Sequence, residues 1–214
     1  MKYKLIIFDI DGTITEHISS WRYIHERLGI WDEKAFKYQD EFLAKKISYR
    51  KFCQLDAAHW KGISVRRVER IFKTFKFTKN AAMILRKLKR EGYKMAAIST
   101  GLQYIPERLK REFEFDFVLS NALIHRNGKL TGGVKVNIAH GAKASVIRTL
   151  TRKFGIKPHE MISIGDSAGD LPVAKAVGYS IAFNSTSGEL SRIVDHNCRT
   201  RDFKEVYERI SAGR

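Results

Sequence analysis

Short apolar runs and amphipathic stretches alternate along most of the chain. The apolar runs contain many Ile, Phe and Val residues, which is typical of strands buried in a parallel sheet. We predict strands at residues 4–10, 93–99, 115–121, 161–166 and 179–183. Residues 122–134 are predicted to form a hairpin that turns at Asn127-Gly128. Helical spacing between the strands favours an α/β fold with a doubly wound, mostly parallel sheet.

Glycine and proline positions predict where the helices of this fold begin and end. A helix over 78–92 has Thr78 as its expected N-cap. A helix over 141–155 is expected to stop at Gly155, the last residue of that range. A third helix is predicted over 170–178, which has a proline near its start.

Residues 15–76 have a different pattern, with amphipathic helical segments and no convincing strand. The segments are SSWRYIHERLGI, DEKAFKYQDEFLAKK, SYRKFCQLDAAHW and SVRRVERIFKTF. The pattern predicts a helical cap domain, residues 15–76, inserted into an α/β catalytic core formed by residues 1–14 and 77–214. We expect this cap to move relative to the core, with hinges near residues 14–17 and 75–79.

The aromatic residues of the insertion fall mostly at helical spacing. They are Trp21, Tyr23, Trp31, Phe36, Tyr38, Phe42, Phe52 and Trp60. This spacing favours a hydrophobic core of the insertion itself over a substrate pocket. Among them, those early in the insertion, such as Trp21, are the better candidates for lining a pocket.

Polar residues follow several of the predicted strands at the point where each strand ends. Asp9 and Asp11 end the first strand, Ser99 and Thr100 end the second, and Asp166 ends a later one. In open α/β sheets, ligands bind beyond the carboxyl ends of the strands. We therefore expect these side chains to meet in one crevice.

Carboxylates as close in sequence as Asp9 and Asp11 repel each other unless a cation or protons intervene. A turn at Gly12 can reorient Asp11, and carboxylate oxygens are ligands that Mg²⁺ prefers beside phosphate. An aspartate near such a cation can act as a nucleophile, and its neighbour as a general acid and base. The alternative is ordinary turn chemistry, because Asp-Gly is a common turn pair.

The segment GDSAGD adds Asp166 and Asp170 to the same edge, although Asp170 also suits a helix N-terminus. Convergence of the three strand-end carboxylates, Asp9, Asp11 and Asp166, would be costly without a metal, so together they favour a metal site. Ser99, Thr100 and nearby backbone amides are candidate phosphate ligands, with simple turn residues as the alternative. Lys143 lies in the first turn of a predicted helix, where a positive charge is unfavourable because of the helix dipole. This placement is understandable if the side chain reaches into the crevice towards a phosphate.

Four segments together resemble a known family. LIIFDIDGTIT, AAISTG, GAKASVI and MISIGDSAGDLPVAKAVGYSIAF are similar, in order and spacing, to the motifs of the haloacid dehalogenase superfamily of phosphohydrolases. The helical insertion after the first motif resembles the phosphoserine phosphatase-like branch, as does FDFVLSNALIHRNGKLTGGV before Lys143. The resemblance implies a Mg²⁺-dependent phosphohydrolase that cleaves a small phosphomonoester through an aspartyl-phosphate intermediate.

The resemblance also implies a role for each matching residue. Asp9 would be the nucleophile and a Mg²⁺ ligand, while Asp11 would serve as acid and base and give its backbone carbonyl to the metal. The remaining roles are phosphate binding by Ser99, Thr100 and Lys143, metal ligation by Asp166, and support by Asp170 and Gly12.

Two positions depart from the family members that act on phosphoserine. Those family members bind the amino and carboxylate groups of phosphoserine with a glutamate that follows the first motif and an arginine in the cap. The corresponding positions fall on Ile18 and near Asp56. The resemblance therefore implies the phosphatase chemistry without specifying phosphoserine as the substrate.

Composition and length place the chain among globular proteins. It has 214 residues, of which 43% are hydrophobic and 29% charged. No apolar run approaches the roughly 18 residues of a membrane span, and the N-terminal run is too short for a signal peptide. Cys53 and Cys198 have no second pair, so we expect reduced cysteines in a cytoplasmic protein.

The formal net charge of +17 leaves alternative functions open. It suits attraction of a small phosphorylated metabolite, but also binding to nucleic acid, which we consider the less favoured partner. The leading hypothesis is the phosphohydrolase. The alternatives are a phosphotransferase that passes the phosphoryl group to a small acceptor, and a nucleic-acid-binding protein or nucleic-acid-end phosphatase that uses the basic surface.

Overall fold

A seven-stranded sheet organises the part of the chain that the computed structural model describes, residues 2–30 and 33–213. Its strands are β1 (Leu5–Phe8), β2 (Lys94–Leu102), β3 (Phe117–Arg126), β4 (Lys129–Lys135), β5 (Met161–Gly165), β6 (Tyr179–Ala182) and β7 (His196–Asn197). They are arranged in the order β4-β3-β2-β1-β5-β6-β7. Neighbouring strands are parallel except in the β3–β4 hairpin. The predicted doubly wound α/β sheet is confirmed, including the hairpin.

Helices flank the sheet and fill the long connection after β1. They are α1 (Ser20–Leu28), α2 (Glu33–Leu43), α3 (Tyr49–Ala58), α4 (Val65–Lys73), α5 (Ala81–Arg90), α6 (Tyr104–Phe113), α7 (Ser145–Phe154), α8 (Leu171–Ala174), α9 (Gly188–Ile193) and α10 (Phe203–Ala212). The four helices predicted within residues 15–76 are all present as α1 to α4. Among the residues described, no helix combines the length and the apolar character that a membrane crossing requires.

Several elements were missed or misplaced by the sequence pattern. The pattern did not predict α6, α9, α10 or β7. Helix α6 contains Pro106, but this proline lies in the first turn, where its missing N–H costs little. Strand β7 has only two residues, too few for a periodic signal.

The expected N-cap at Thr78 is wrong. Helix α5 begins at Ala81, after Asn80, which adopts a positive φ of 62°. The Thr78 hydroxyl instead donates to the Thr13 carbonyl at 2.8 Å, and its backbone N–H donates to Ile14. Thr78 therefore ties the return of the chain to the segment that follows β1.

The predicted helix over 141–155 is shorter than expected. It ends at Gly155 as predicted, but it begins at Ser145 because the chain turns at Gly141, where φ is +78°. Lys143 therefore precedes the helix instead of lying in its first turn. The predicted helix over 170–178 is likewise reduced to α8, preceded by a short 3₁₀ turn.

Strand β1 lies at the centre of the sheet, between β2 and β5, with all four residues buried. Leu5 and Ile7 face the core under α7, and Ile6 and Phe8 face the opposite core. The Phe8 ring lies 6.2 Å from Phe203 of α10, measured between ring centroids. Full burial of side chains of this size contributes about 1.5–3 kcal/mol each, so the end of β1 is held firmly in place.

The helical insertion, residues 15–76, is docked onto the sheet in this structure. Helix α3 packs against β4, and the Gly62 N–H donates to the Leu130 carbonyl at 2.8 Å. The two chain crossings meet in an isolated bridge between Thr15 and Phe77. The division into core and mobile cap, with hinges at these crossings, stays a prediction.

Aromatic contacts hold the insertion together, in agreement with the predicted internal core. The Trp21 and Trp60 rings stack with centroids 5.6 Å apart, and the Phe42 and Phe52 rings stack at 5.3 Å. The prediction is wrong for Phe36, which is 49% exposed on α2. Trp31, assigned to the same core from its spacing, lies outside the described residues.

Candidate active site

The carboxyl ends of β1, β2 and β5 meet at one edge of the sheet, and the predicted site residues gather there. A cavity of about 120 Å³ opens at this edge. The residues that line it include Asp9, Asp11, Ser99, Thr100, Lys143 and Asp166. Asp170 lies beside them, and its carboxylate approaches those of Asp9 and Asp166 within 4.8 Å. Gly12 forms the turn between β1 and the helical insertion.

A buried lysine lies at the centre of this cluster. Lys143 Nζ donates to Asp9 Oδ1 at 2.5 Å and to Asp170 Oδ1 at 2.6 Å, and the lysine is only 4% exposed. Burial alone lowers the pKa of Lys143, but the carboxylates of Asp170 and Asp9 outweigh it and raise the pKa. The lysine therefore carries a positive charge at neutral pH.

Asp170 anchors both the lysine and the turn after β5. Its Oδ2 accepts hydrogen bonds from the Asp166 N–H, the Ser167 N–H and the Ser167 hydroxyl. A Cβ atom at Gly165 would lie 2.4 Å from Asp170 Cγ, so only glycine fits beneath this carboxylate. With both oxygens engaged, Asp170 is suited to support the site more than to bind a ligand itself.

Lys143 is surrounded by the carboxyl groups of Asp9, Asp11, Asp166 and Asp170, too many for all of them to be ionised at neutral pH without a further cation. Burial raises the pKa of Asp9 to about 7, although Lys143 opposes the rise. Burial, together with the neighbouring Asp9 and Asp170, raises the pKa of Asp166 to about 9. Oxygens of Asp9, Asp166 and Asp170 lie within 4.8 Å of one another, and an all-oxygen set of this kind fits Mg²⁺.

Asp11 is held from the first turn of α1. Both the backbone N–H and the hydroxyl of Ser20 donate to Asp11 Oδ2, each at 2.8 Å. Burial raises the pKa of Asp11, and the two hydrogen bonds from Ser20 oppose that rise. The carboxyl group therefore faces the cavity in one defined orientation.

The last residues of β2, where its pairing with β3 is irregular, form a loop over residues 99–102 that is fixed by three separate elements. The carbonyl of Thr100 accepts hydrogen bonds from Trp21 Nε1 of α1 at 3.1 Å, Tyr49 OH of α3 at 2.7 Å and Asn121 Nδ2 of β3 at 2.8 Å. Within the loop, the Gly101 N–H donates to Ser99 Oγ at 2.8 Å. Ser99 and the Gly101 amide are thus presented together at the cavity wall.

All of the site residues predicted from the sequence lie at this edge of the sheet, while their chemical roles stay predictions. Trp21 lines the cavity, as its early position in the insertion indicated. Three residues that shape the site were missed: Ser20, Tyr49 and Asn121. Asn121 ends a predicted strand, so its position carried a signal, whereas Ser20 and Tyr49 begin amphipathic helices and carried none.

Comparison with known proteins agrees with this geometry. The family model for haloacid dehalogenase-like hydrolases matches residues 6–175. A phosphoserine phosphatase of Archaeoglobus fulgidus is 33% identical over 183 residues, which is 85% of this chain but only 53% of that protein. This chain thus spans about half the length of that relative.

Two further relatives match over nearly their whole length. A phosphoserine phosphatase of Methanocaldococcus jannaschii is 27% identical over 210 residues and covers 98% of both chains. A solved structure described as a phospho-aspartyl intermediate analogue of phosphoserine phosphatase superposes with a TM-score of 0.82. It is 27% identical in sequence and covers 97% of this chain and 99% of its own.

We expect Gly12→Ala to disable the site, whereas Gly29→Ala should not. Both glycines have positive φ, 84° and 71°, so both changes carry a backbone cost of about 1–2 kcal/mol. Only at Gly12 would the added Cβ meet a site residue, lying 2.4 Å from Asp166 Oδ2, while at Gly29 nothing lies within 4 Å. Displacement of Asp166 should lower phosphatase turnover by about 100-fold.

The measurement is phosphate release at saturating Mg²⁺, with thermal unfolding recorded for both variants. We expect both variants to unfold cooperatively, with Gly12→Ala melting at the lower temperature because of the added clash, and a loss of turnover at Gly12 alone. Equal turnover in the two variants would contradict the assignment of Gly12 as the residue that makes room for Asp166.

Proposed function

Because this chain belongs to the haloacid dehalogenase-like hydrolase family, we propose that it is a Mg²⁺-dependent phosphatase that hydrolyses a small phosphomonoester through an aspartyl-phosphate on Asp9. The observation that carries this proposal is the pairing of buried Asp9 with Lys143 at the cavity, beside the acidic group of Asp166. The similarity to phosphoserine phosphatases, including an aspartyl-phosphate analogue, supports it.

In the proposed reaction, an Asp9 carboxylate oxygen attacks phosphorus. Lys143 and the Ser99 hydroxyl bind the phosphoryl oxygens, which supplies the positioning and charge neutralisation that phosphoryl transfer requires, and the Gly101 amide orients Ser99 through its hydrogen bond to Ser99 Oγ. Asp11 gives a proton to the leaving oxygen and then takes one from the water that hydrolyses the aspartyl-phosphate. Thr100 contributes by holding this loop through its carbonyl.

Mg²⁺ is the cofactor that the oxygen donors favour. Asp9, Asp166 and the backbone carbonyl of Asp11 would hold it, and Asp170 would support the turn that carries Asp166. When bound, Mg²⁺ neutralises part of the phosphate charge. Burial, followed by the nearby carboxylates of Asp9 and Asp170, raises the pKa of Asp166, so this carboxyl would ionise more readily beside a cation.

The helical insertion, residues 15–76, is proposed as a cap domain over a catalytic core of residues 1–14 and 77–214. Its residues Ile18, Ser19 and Trp21 line the cavity beside the catalytic groups, which supports a role in choosing the alcohol part of the substrate. Closure of such a cap excludes water from the reacting phosphate.

The cavity is better suited to an uncharged alcohol than to an amino acid. Ile18 lies at its mouth with 63% of its surface exposed, and Asp56 is buried 3.4 Å from His25 and therefore unavailable. Burial lowers the pKa of His140, which keeps that ring neutral. Among the described residues that line the cavity, the charged side chains all belong to the catalytic cluster. The cavity therefore offers no separate charged partner to the ammonium and carboxylate groups of phosphoserine.

We expect Asp9→Asn to reduce turnover by about 10³-fold or more, because the amide cannot act as the nucleophile. The measurement is phosphate release from 4-nitrophenyl phosphate with Mg²⁺. Wild type quenched during turnover should also carry a hydroxylamine-sensitive phosphoryl group that the variant lacks.

The control is Asp202→Asn, the same change at the N-cap of α10, where asparagine caps equally well. It should retain wild-type turnover. Substantial turnover by Asp9→Asn would overturn the proposed function.

Mg²⁺ binding should release protons near neutral pH. In the metal-free protein the pKa of Asp166 is about 9, so this carboxyl is protonated at pH 7 and must lose its proton to bind Mg²⁺. Affinity for Mg²⁺ should therefore rise as pH increases from 7 to 9. Calorimetric titration in buffers of different ionisation enthalpy measures both the proton release and the affinity for Mg²⁺ at each pH. In a separate assay, chelation of Mg²⁺ should abolish turnover until Mg²⁺ is restored.

The control variant is Asp166→Asn, which removes the titrating group and should bind Mg²⁺ weakly with little proton release. An affinity that does not change with pH in wild type would contradict the assignment of Asp166 as a ligand.

The proposed preference for uncharged alcohols predicts a higher kcat/KM for propyl phosphate than for O-phosphoethanolamine, and no advantage for O-phospho-L-serine. Ile18→Glu should shift this ratio of kcat/KM values by about tenfold towards O-phosphoethanolamine, through attraction of its ammonium group. Ile193→Glu, at a half-exposed position on α9 away from the cavity, is the matched control and should leave the ratio unchanged. A wild-type preference of 100-fold for O-phospho-L-serine would refute the substrate class but leave the phosphatase chemistry intact.

A further inference from the structure

Ser20, the first residue of α1, donates two hydrogen bonds to Asp11, which a serine at the start of a helix does not need for the helix itself. It is 1% exposed, and its backbone N–H and hydroxyl both donate to the same oxygen of Asp11, at 2.8 Å each. The N-cap role of α1 belongs to the preceding residue, Ser19, which accepts from the Arg22 N–H. The Ser20 hydroxyl is therefore free of the capping function and is directed at Asp11.

The direction of the Ser20 hydroxyl proton is set by a second contact. The Leu102 N–H, at the end of β2, donates to Ser20 Oγ at 3.0 Å. Since that oxygen accepts from Leu102, its own hydrogen points to the acceptor on the other side, Asp11 Oδ2. The result is a chain of two hydrogen bonds from the β2 backbone through Ser20 to the carboxyl group.

The space between Gly101 and the hydrogen-bonded side chains of Ser20 and Asp11 has no room for a methyl group. A Cβ atom at Gly101 would lie 2.4 Å from Ser20 Oγ and 2.5 Å from Asp11 Oδ2. Gly101 therefore keeps the approach between α1 and the β2 loop open. The close fit limits the rotation of both side chains.

We propose that Ser20 is a positioning residue for Asp11, holding its carboxyl group in the orientation from which it exchanges a proton with the leaving oxygen. Because Ser20 is carried by α1, the helical insertion must be docked for this orientation to be fixed. This inference rests on the proposed function, in which Asp11 is the general acid and base.

The chemical step identifies what Ser20 should affect. As an Asp9 oxygen forms its bond to phosphorus, the bond from phosphorus to the ester oxygen breaks, and the proton of Asp11 passes to that oxygen to give the free alcohol. Asp11 then accepts a proton from water as the water oxygen bonds to phosphorus and the phosphorus–Asp9 bond breaks. A misplaced Asp11 slows the first transfer most when the leaving oxygen is a strong base.

The experiment compares two esters of similar size whose leaving groups differ in basicity. The leaving group of benzyl phosphate is a basic alkoxide, which needs the proton. The leaving group of 4-nitrophenyl phosphate is a stable phenolate, which does not. Ser20→Ala should lower kcat/KM for benzyl phosphate by about 10- to 100-fold, within the range that general acid catalysis contributes. It should lower kcat/KM for 4-nitrophenyl phosphate by less than about threefold. The ratio kcat/KM reports the steps up to formation of the aspartyl-phosphate, so it excludes the second step, in which Asp11 acts on the same intermediate whichever ester is used.

Ser48→Ala is the matched control. Ser48 is the N-cap of another helix of the insertion, α3, where its hydroxyl accepts from the Lys51 N–H at 3.2 Å, and it has no hydrogen bond to Asp11. Its replacement should change kcat/KM for both esters by the same small factor. A near-wild-type kcat/KM for 4-nitrophenyl phosphate in Ser20→Ala also serves as a test of folding, alongside the melting temperature.

Equal losses of kcat/KM for the two esters in Ser20→Ala, or no loss of kcat/KM for benzyl phosphate, would overturn the positioning role. The same dependence on leaving group in Ser48→Ala would overturn it too, because a general loosening of the insertion would then explain the effect. Failure of the proposed function is distinguishable, since wild type would then release no phosphate from either ester in an Asp9-dependent way.

Discussion

The ion pairs of Lys143 with Asp9 and Asp170 are the interaction on which the rest of the site depends. Moving charges out of water costs several kcal/mol per ion, and buried pairs recover this only with good geometry and further hydrogen bonds. Here one ammonium group bridges two carboxylates at 2.5 and 2.6 Å, and Asp170 accepts three more hydrogen bonds from the turn after β5. The cluster remains short of positive charge, so it is preorganised for a cation and a phosphate.

Close approach among these groups is made possible by residues without side chains. Gly12, Gly101 and Gly165 each lie where a Cβ atom would come within 2.4 Å of a side-chain atom at the site, two of them against Asp166 or Asp170 and one against Ser20. These glycines follow or precede strand ends, where the backbone must turn while the carboxylates converge. Backbone conformation and electrostatics at the site are thus set by the same short segments.

Whether a feature of the fold or the site could be predicted from the sequence depends on how far apart the interacting residues lie along the chain. Apolar runs predicted the strands because burial on both faces of β1 requires them, and the order of strand ends predicted the convergence of Asp9 and Asp166. Thr78 was misassigned because its hydroxyl bonds to Thr13, across the fold, instead of capping its own helix. Ser20 and Tyr49 were missed for a similar reason, since their partners lie on elements distant in sequence and depend on how the insertion docks.

Docking of the insertion and organisation of the end of β2 are physically coupled. Two backbone groups there, the Thr100 carbonyl and the Leu102 N–H, bond to side chains of the insertion. Trp21 and Tyr49 donate to the Thr100 carbonyl, alongside Asn121 of β3, and Ser20 accepts from the Leu102 N–H. An undocked insertion would leave Asn121 as the remaining side-chain donor to Thr100 and the Leu102 N–H to water, which loosens the segment that carries Ser99. Binding energy from a substrate that closes the insertion would therefore also order the groups that hold its phosphate, which links recognition of the alcohol to catalysis.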